Sequence, residues 1–137
     1  MNRPTGPIAT AIIGTGINVC DIDRSIGFYH EVLGLIQTQR WEFPGVTEVV
    51  LHIPDQPATA GLVLAHGLRD DLSSDVSSFG RLIFGVDNAD AVCDRARRHG
   101  GEVEREPTDG PGEGIRIGIV KDPDGVRLEL VERPDGR

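Results

Sequence analysis

The chain has 137 residues, enough for one domain with a sizeable core or for two small modules that share one. Its 22 acidic against 14 basic residues give a formal net charge of -8, which repels phosphate backbones and points away from nucleic acid as a partner. No apolar run approaches the roughly 20 residues that span a bilayer, and the opening MNRPTGPIATAII lacks the basic region and unbroken apolar stretch of a signal peptide. No membrane partner is expected, and the location expected is cytoplasmic. Cys20 and Cys93 are too few and too far apart for a disulfide framework or a CxxC metal site, and read as reduced, mostly buried thiols.

In chain order, residues 1 to about 10 read as a loose tail and Ala11 to Val19 as a strand. Its alternation places Ile13, Thr15, Ile17 and Val19 on one face and Gly14, Gly16 and Asn18 on the other. Glycine inside a strand often marks a place that something else approaches closely. Asp21 is positioned to cap a helix in which Ile22, Ile26, Tyr29, Val32 and Leu33 follow helical spacing and which Gly34 stops. Short β-rich runs follow, Leu35 to Trp41, Thr47 to Ile53 and Leu62 to His66, separated by turn formers. The first half therefore reads βαβββ. Residues 67–80, GLRDDLSSDVSSFG, are polar and without a period, and read as a connection.

The order then returns. Arg81 to Val86 reads as a strand, Asn88 as a cap, and Ala89, Val92, Cys93 and Ala96 as the buried stripe of a helix that ends at His99, Gly100 and Gly101. Val19 and Val86, like Gly34 and Gly101, stand 67 residues apart, and Val63 and Glu129 stand 66 apart, so the chain is an internal duplication with modules at about 11–66 and 81–132. The last segment, DPDGVRLELVE, is a turn feeding a strand. In it Val126, Leu128 and Leu130 face one way and Arg127, Glu129 and Val131 the other.

The phrase INVCDIDRSIGFYHEVLGL, the repeated strand and helix from Arg81, and the ending KDPDGVRLELVE resemble the vicinal-oxygen-chelate superfamily, which includes glyoxalase I, bleomycin-resistance proteins and extradiol dioxygenases. The resemblance covers nearly the whole chain and is more specific for a fold than for an activity. It implies an α+β fold in which paired βαβββ modules form an incomplete eight-stranded barrel around a cavity, commonly in a homodimer. In metal-dependent members an early residue of each module's first strand and a residue of its last strand bind a divalent ion. The matching positions here are Gly14, Val63, Arg81 and Glu129, and Glu129 is the only retained ligand. No metal and no cofactor are expected on that ground. A displaced site using His52 or His66 is left open, and His99, at a helix C-terminus, is favoured there by the helix dipole alone.

In the metal's place the resemblance puts Arg81 and Glu129 in one cavity, lined by Gly14, Gly16, Asn18, Trp41, Val63, Ala65 and Ile83. Arg81 would hold a carbonyl or enolate oxygen and Glu129 would move a proton, unless the two form only a structural ion pair. Three functions follow: a metal-independent lyase or isomerase acting on a small carbonyl-containing metabolite, a binding protein that sequesters a small molecule with help from Trp41 and Phe43, and a metal-dependent glyoxalase or dioxygenase. The ligand positions oppose the last.

Overall fold

The computed structural model describes residues 12–56, 60–67 and 81–134. The elements run β1 (Gly14–Asn18), α1 (Ile22–Leu33), β2 (Ile36–Phe43), β3 (Val46–His52), β4 (Gly61–His66), β5 (Leu82–Val86), α2 (Ala89–Arg98), β6 (Glu102–Asp109), β7 (Arg116–Lys121) and β8 (Arg127–Glu132). The fold is α+β, built from the two βαβββ modules that the sequence repeats. Each module makes one four-stranded sheet, in the orders β1-β4-β3-β2 and β5-β8-β7-β6. The eight strands stay in these two sheets and do not close on one another. The tail at 1–10 and nearly all of the connection at 67–80 lie outside the described residues.

Within each sheet the first and last strands of the module run parallel, with Ile17 opposite Leu64 in one and Phe84 opposite Leu130 in the other. The other ladders are antiparallel. A parallel pair needs a crossover, and the helix supplies it. Both helices start on the expected caps: Asp21 accepts from the Arg24 backbone N–H and Asn88 from that of Ala91, each at 3.0 Å. Glu132 adds a second acceptor at the start of α2, taking the Ala89 N–H at 2.8 Å. Gly34 ends α1 in the left-handed conformation, φ 73°.

One face of each sheet packs on the helices. Ile17, Val49, Leu51, Leu62 and Leu64 of the first sheet join Val120, Leu128 and Leu130 of the second in a single cluster with Phe28, Tyr29 and Val32 of α1 and Val92, Cys93 and Ala96 of α2. The modules thus share one core. Phe28 approaches so closely that a Cβ on Gly101, in the other module, would sit 2.7 Å from its ring. The opposite faces of both sheets are left open, with Trp41 44%, Phe43 54% and Ile83 60% exposed. That is where the expected site residues fall.

Candidate functional site

Strand β8 positions the carboxylate. Leu128 and Leu130 are fully buried against the helices, so Glu129 between them must project from the open face of the second sheet. Its cross-strand neighbours are Ile83 on β5 and Ile119 on β7. Arg81 precedes Ile83 by two residues, hence on the same side, and its Nε lies 3.3 Å from Oε2 of Glu129. The two side chains differ in exposure, 46% for Arg81 and 16% for Glu129. The carboxylate is therefore largely shielded between apolar neighbours while the guanidinium remains reachable from solvent. Chemically this is a carboxylate beside a cation, with apolar flanks that lower the local dielectric and strengthen the attraction between them.

The same face continues past the pair. Arg127, two residues before Glu129, lies opposite Lys121, and both reach Glu104, at 2.7 and 3.8 Å. Two cations share one carboxylate there.

The remaining expected lining residues stand on the first sheet. Gly16 lies opposite Val63 and Asn18 opposite Ala65 on the β1–β4 ladder, and Trp41 lies opposite Glu48 on the β2–β3 ladder. Thus Ile83 stands beside the ion pair, whereas Gly14, Gly16, Asn18, Trp41, Val63 and Ala65 stand on the other sheet. No hydrogen bond or ion pair among the described residues joins the two groups. Gly14 is tight because a Cβ there would lie 3.2 Å from the Gly61 carbonyl oxygen, but Gly16 faces open space. Among the described residues, no group takes the room that Gly16 leaves.

The donor set does not fit a divalent ion. Gly14 and Val63 have no side-chain donor atoms, and the guanidinium of Arg81 repels a cation. His52 and His66 do not assemble a displaced site either. His66 lies opposite Thr47, at the far end of β3 from His52, about 17 Å along the strand. One nitrogen of each ring has local work: His66 Nδ1 lies 3.1 Å from the Val19 carbonyl oxygen, and His52 Nδ1 lies 2.7 Å from Thr38 Oγ1. Among the described residues no group of three or more His, Cys, Asp or Glu could hold a metal.

Sequence reasoning passed over a polar cluster built from the two motifs it singled out. In the DPDG turn, Oδ1 of Asp122 accepts the backbone N–H groups of Asp124 and Val126, and Oδ2 accepts the Tyr29 hydroxyl at 2.8 Å. Asp124 takes the Arg24 guanidinium at 3.0 Å, the Ser25 hydroxyl and the Cys20 backbone N–H. Burial pushes the Asp122 carboxyl up, and the hydrogen bond from Tyr29 holds part of that back. Burial also raises the Tyr29 phenol, with the Asp122 charge adding to it. Cys20 is exposed, but its hydrogen bond to Asp124 raises the thiol and suppresses the thiolate. This cluster fastens α1 to the last turn of the second module, away from the open faces. Glu48, opposite both Trp41 and Ala65, was also passed over; the alternation of Glu48, Val50 and His52 along β3 was the available signal.

Residues 11–130 match the family model of the Glyoxalase/Bleomycin resistance protein/Dioxygenase superfamily. The chain is 34% identical to a lactoylglutathione lyase of Haemophilus influenzae over 116 residues, covering 83% of this chain and 86% of that one. It is 30% identical to a probable lactoylglutathione lyase of Synechocystis, covering 83% and 88%. Among solved structures, a glyoxalase family protein from Bacillus cereus superposes with a TM-score of 0.79 at 21% identity, covering 95% and 98% of the two chains. Leishmania major glyoxalase I superposes with a TM-score of 0.70 at 25% identity, covering 93% and 89%. With a family match over nearly its whole length, the chain belongs to the glyoxalase, bleomycin-resistance and dioxygenase superfamily.

Proposed function

We propose that the protein is a metal-independent lyase or isomerase that acts on a small carbonyl-containing metabolite through Glu129 and Arg81. The observation that carries this reading is the ion pair itself: a shielded carboxylate and a half-exposed guanidinium, 3.3 Å apart, on an open face flanked by Ile83 and Ile119. Glu129 takes a proton from the carbon next to a carbonyl, the electron pair moves onto the carbonyl oxygen, and the guanidinium of Arg81 stabilises the enolate that results. Where the abstracted carbon bears a hydroxyl, moving that hydroxyl's proton to the enolate oxygen and returning the abstracted proton to the former carbonyl carbon gives an isomer; expelling a leaving group from the β-carbon as the carbonyl re-forms gives a lyase product. A structural ion pair alone is a weak reason to keep Arg81, since a cation this exposed contributes about 0–1 kcal/mol. The relatives' name points to thioesters and their precursors as the first substrates to try.

We further place the protein in the cytoplasm as a homodimer without nucleic-acid or membrane partners. The charge of -8 and the two open faces support this, and among the described residues no helix is long and apolar enough to cross a membrane. A sequestering protein is the second reading, favoured by the exposure of Trp41 and Phe43 on β2. A metal-dependent glyoxalase or dioxygenase is disfavoured by the donor set.

The test is solvent-deuterium exchange at the α-carbon of a panel of ketones, hemithioacetals and thioesters, run beside elemental analysis of protein purified without chelator. Wild type should exchange one substrate class with no stoichiometric metal bound. Glu129→Gln should lower that rate by roughly two to four orders of magnitude with little change in affinity, and Arg81→Met should lower both rate and affinity. A stable Glu129→Gln protein with unchanged exchange would remove the catalytic role. About one metal equivalent per chain, lost on Glu129→Ala, would restore the metal-dependent reading.

A further inference from the structure

We propose that Glu48 and Trp41 form a subsite for a small organic cation on the open face of the first sheet. Glu48 sits in the middle of β3, half-buried, opposite Trp41 on one side and Ala65 on the other. Its carboxylate makes no hydrogen bond and no ion pair among the described residues. Other unpaired carboxylates, such as Glu31, Glu102 and Glu113, are exposed, and water satisfies them. Glu48 is different, because a carboxylate partly withdrawn from water beside apolar groups is costly until a positive charge or donors meet it.

Its surroundings specify what that charge would be. Directly opposite residues on an antiparallel ladder have Cβ atoms about 5 Å apart, so the Trp41 ring lies within reach of the Glu48 carboxylate. Trp41 is 44% exposed, and its strand β2 is the edge of the sheet, open to approach. Ala65 and Gly16 leave the adjacent floor low, and among the described residues no atom lies within 4 Å of where a Gly16 side chain would begin. A carboxylate beside an aromatic face is the arrangement that attracts an ammonium group, by charge and by the ring quadrupole together. A metal ion is a poor occupant, having one protein carboxylate and, among the described residues, no cluster of ligands to join it. This subsite does not rest on the proton transfer proposed for Glu129, which lies on the other sheet.

Trp41 is the only tryptophan in the chain, so its fluorescence reports the subsite directly. The probe is choline, titrated beside its neutral isostere 3,3-dimethylbutan-1-ol, with calorimetry as the second readout. Wild type should show a saturable change with choline and bind the neutral compound roughly five- to tenfold more weakly. Glu48→Gln keeps the side-chain shape and should remove that preference. Glu42→Gln makes the same change in net charge at an exposed residue paired with Arg40, and should bind as wild type does. Glu129→Gln should also bind choline normally, which keeps this result separate from any failure of the catalytic reading. Equal binding of choline and its isostere, no binding, or equal losses in Glu48→Gln and Glu42→Gln would each overturn the proposal. Occupation of the carboxylate by a cation from a second copy would appear as the absence of choline binding at concentrations where the protein sediments as a dimer, and counts against it as well.

Discussion

At the scale of single residues, the most constrained side chain is Asp122, 3% exposed, with both oxygens taken by three donors. Asp122→Ala leaves two backbone N–H groups and the Tyr29 hydroxyl without their acceptor, and should cost about 2–4 kcal/mol by urea unfolding. Asp122→Asn is gentler. Its amide oxygen still accepts the two N–H groups, and the Tyr29 hydroxyl turns to accept from the amide. The pair also predicts a pH dependence. Burial raises the folded-state pKa of Asp122 above its ordinary value of 3.8, so between those two values the folded protein holds a proton that the unfolded chain releases. The contribution is fully present below pH 3.8 and is lost as pH rises through the folded pKa. The titratable groups facing it, Asp124 and the neutral Tyr29 phenol, lie in the same cluster. Wild type should therefore lose stability relative to Asp122→Asn as pH is raised through that window. Parallel stability curves for the two proteins would show that the carboxyl is not raised.

At the scale of elements, the two modules show how much a repeated sequence leaves unsaid. The caps Asp21 and Asn88 stand at the offset the sequence shows, and β4 and β8 occupy matching positions. The helices, however, are 12 and 10 residues long, so the glycines that follow them do not share a role. Gly34 closes α1 with a positive φ of 73°. In the second module Gly100 takes the positive φ, 88°, and Gly101 is kept by contact: a Cβ there would lie 2.7 Å from the Phe28 ring, 2.8 Å from the Lys121 carbonyl oxygen and 3.1 Å from that of Ala96. Two of these neighbours are backbone and cannot turn aside. Gly101→Ala should lower stability by about 1–3 kcal/mol, while Gly16→Ala, facing open space, should fall well short of that. Equal effects in calorimetric melts would contradict the assignment. The alternation of β8 and the spacing of α1 were legible in sequence because each follows from local periodicity. The Tyr29–Asp122 contact was not, since residues 93 apart meet only when the modules pack. The separation of Trp41 and Gly16 from Arg81 was not legible for the same reason.

At the scale of the whole molecule, each sheet buries one face on the shared core and leaves the other uncovered. On the second sheet that face carries Ile83, Ile117, Ile119 and Val131 around the Arg81–Glu129 pair, and on the first it carries Trp41, Phe43 and Val63. Two separated apolar faces on a small chain are costly to leave in water, and a second copy can cover most of both at once through two-fold pairing, with Trp41 and Glu48 still reachable from the free edge of the first sheet at β2. The driving force is apolar area, so adding a charge at its centre should be decisive. Ile83, 60% exposed and opposite Glu129 on the ladder, is that centre, and its outward side chain contributes little to the folded monomer. Ile83→Lys should leave the monomer folded but shift it from dimer to monomer in sedimentation velocity at micromolar concentration. Gln37→Lys makes the same charge change on β2, opposite Leu51 and so on the helix-facing side of the first sheet's edge, and should leave the dimer intact. A wild-type protein that sediments as a monomer at that concentration would end the pairing proposal. The Arg81–Glu129 site would then have to work from one open face, with water reaching the base, and the expected rate of proton transfer would fall accordingly.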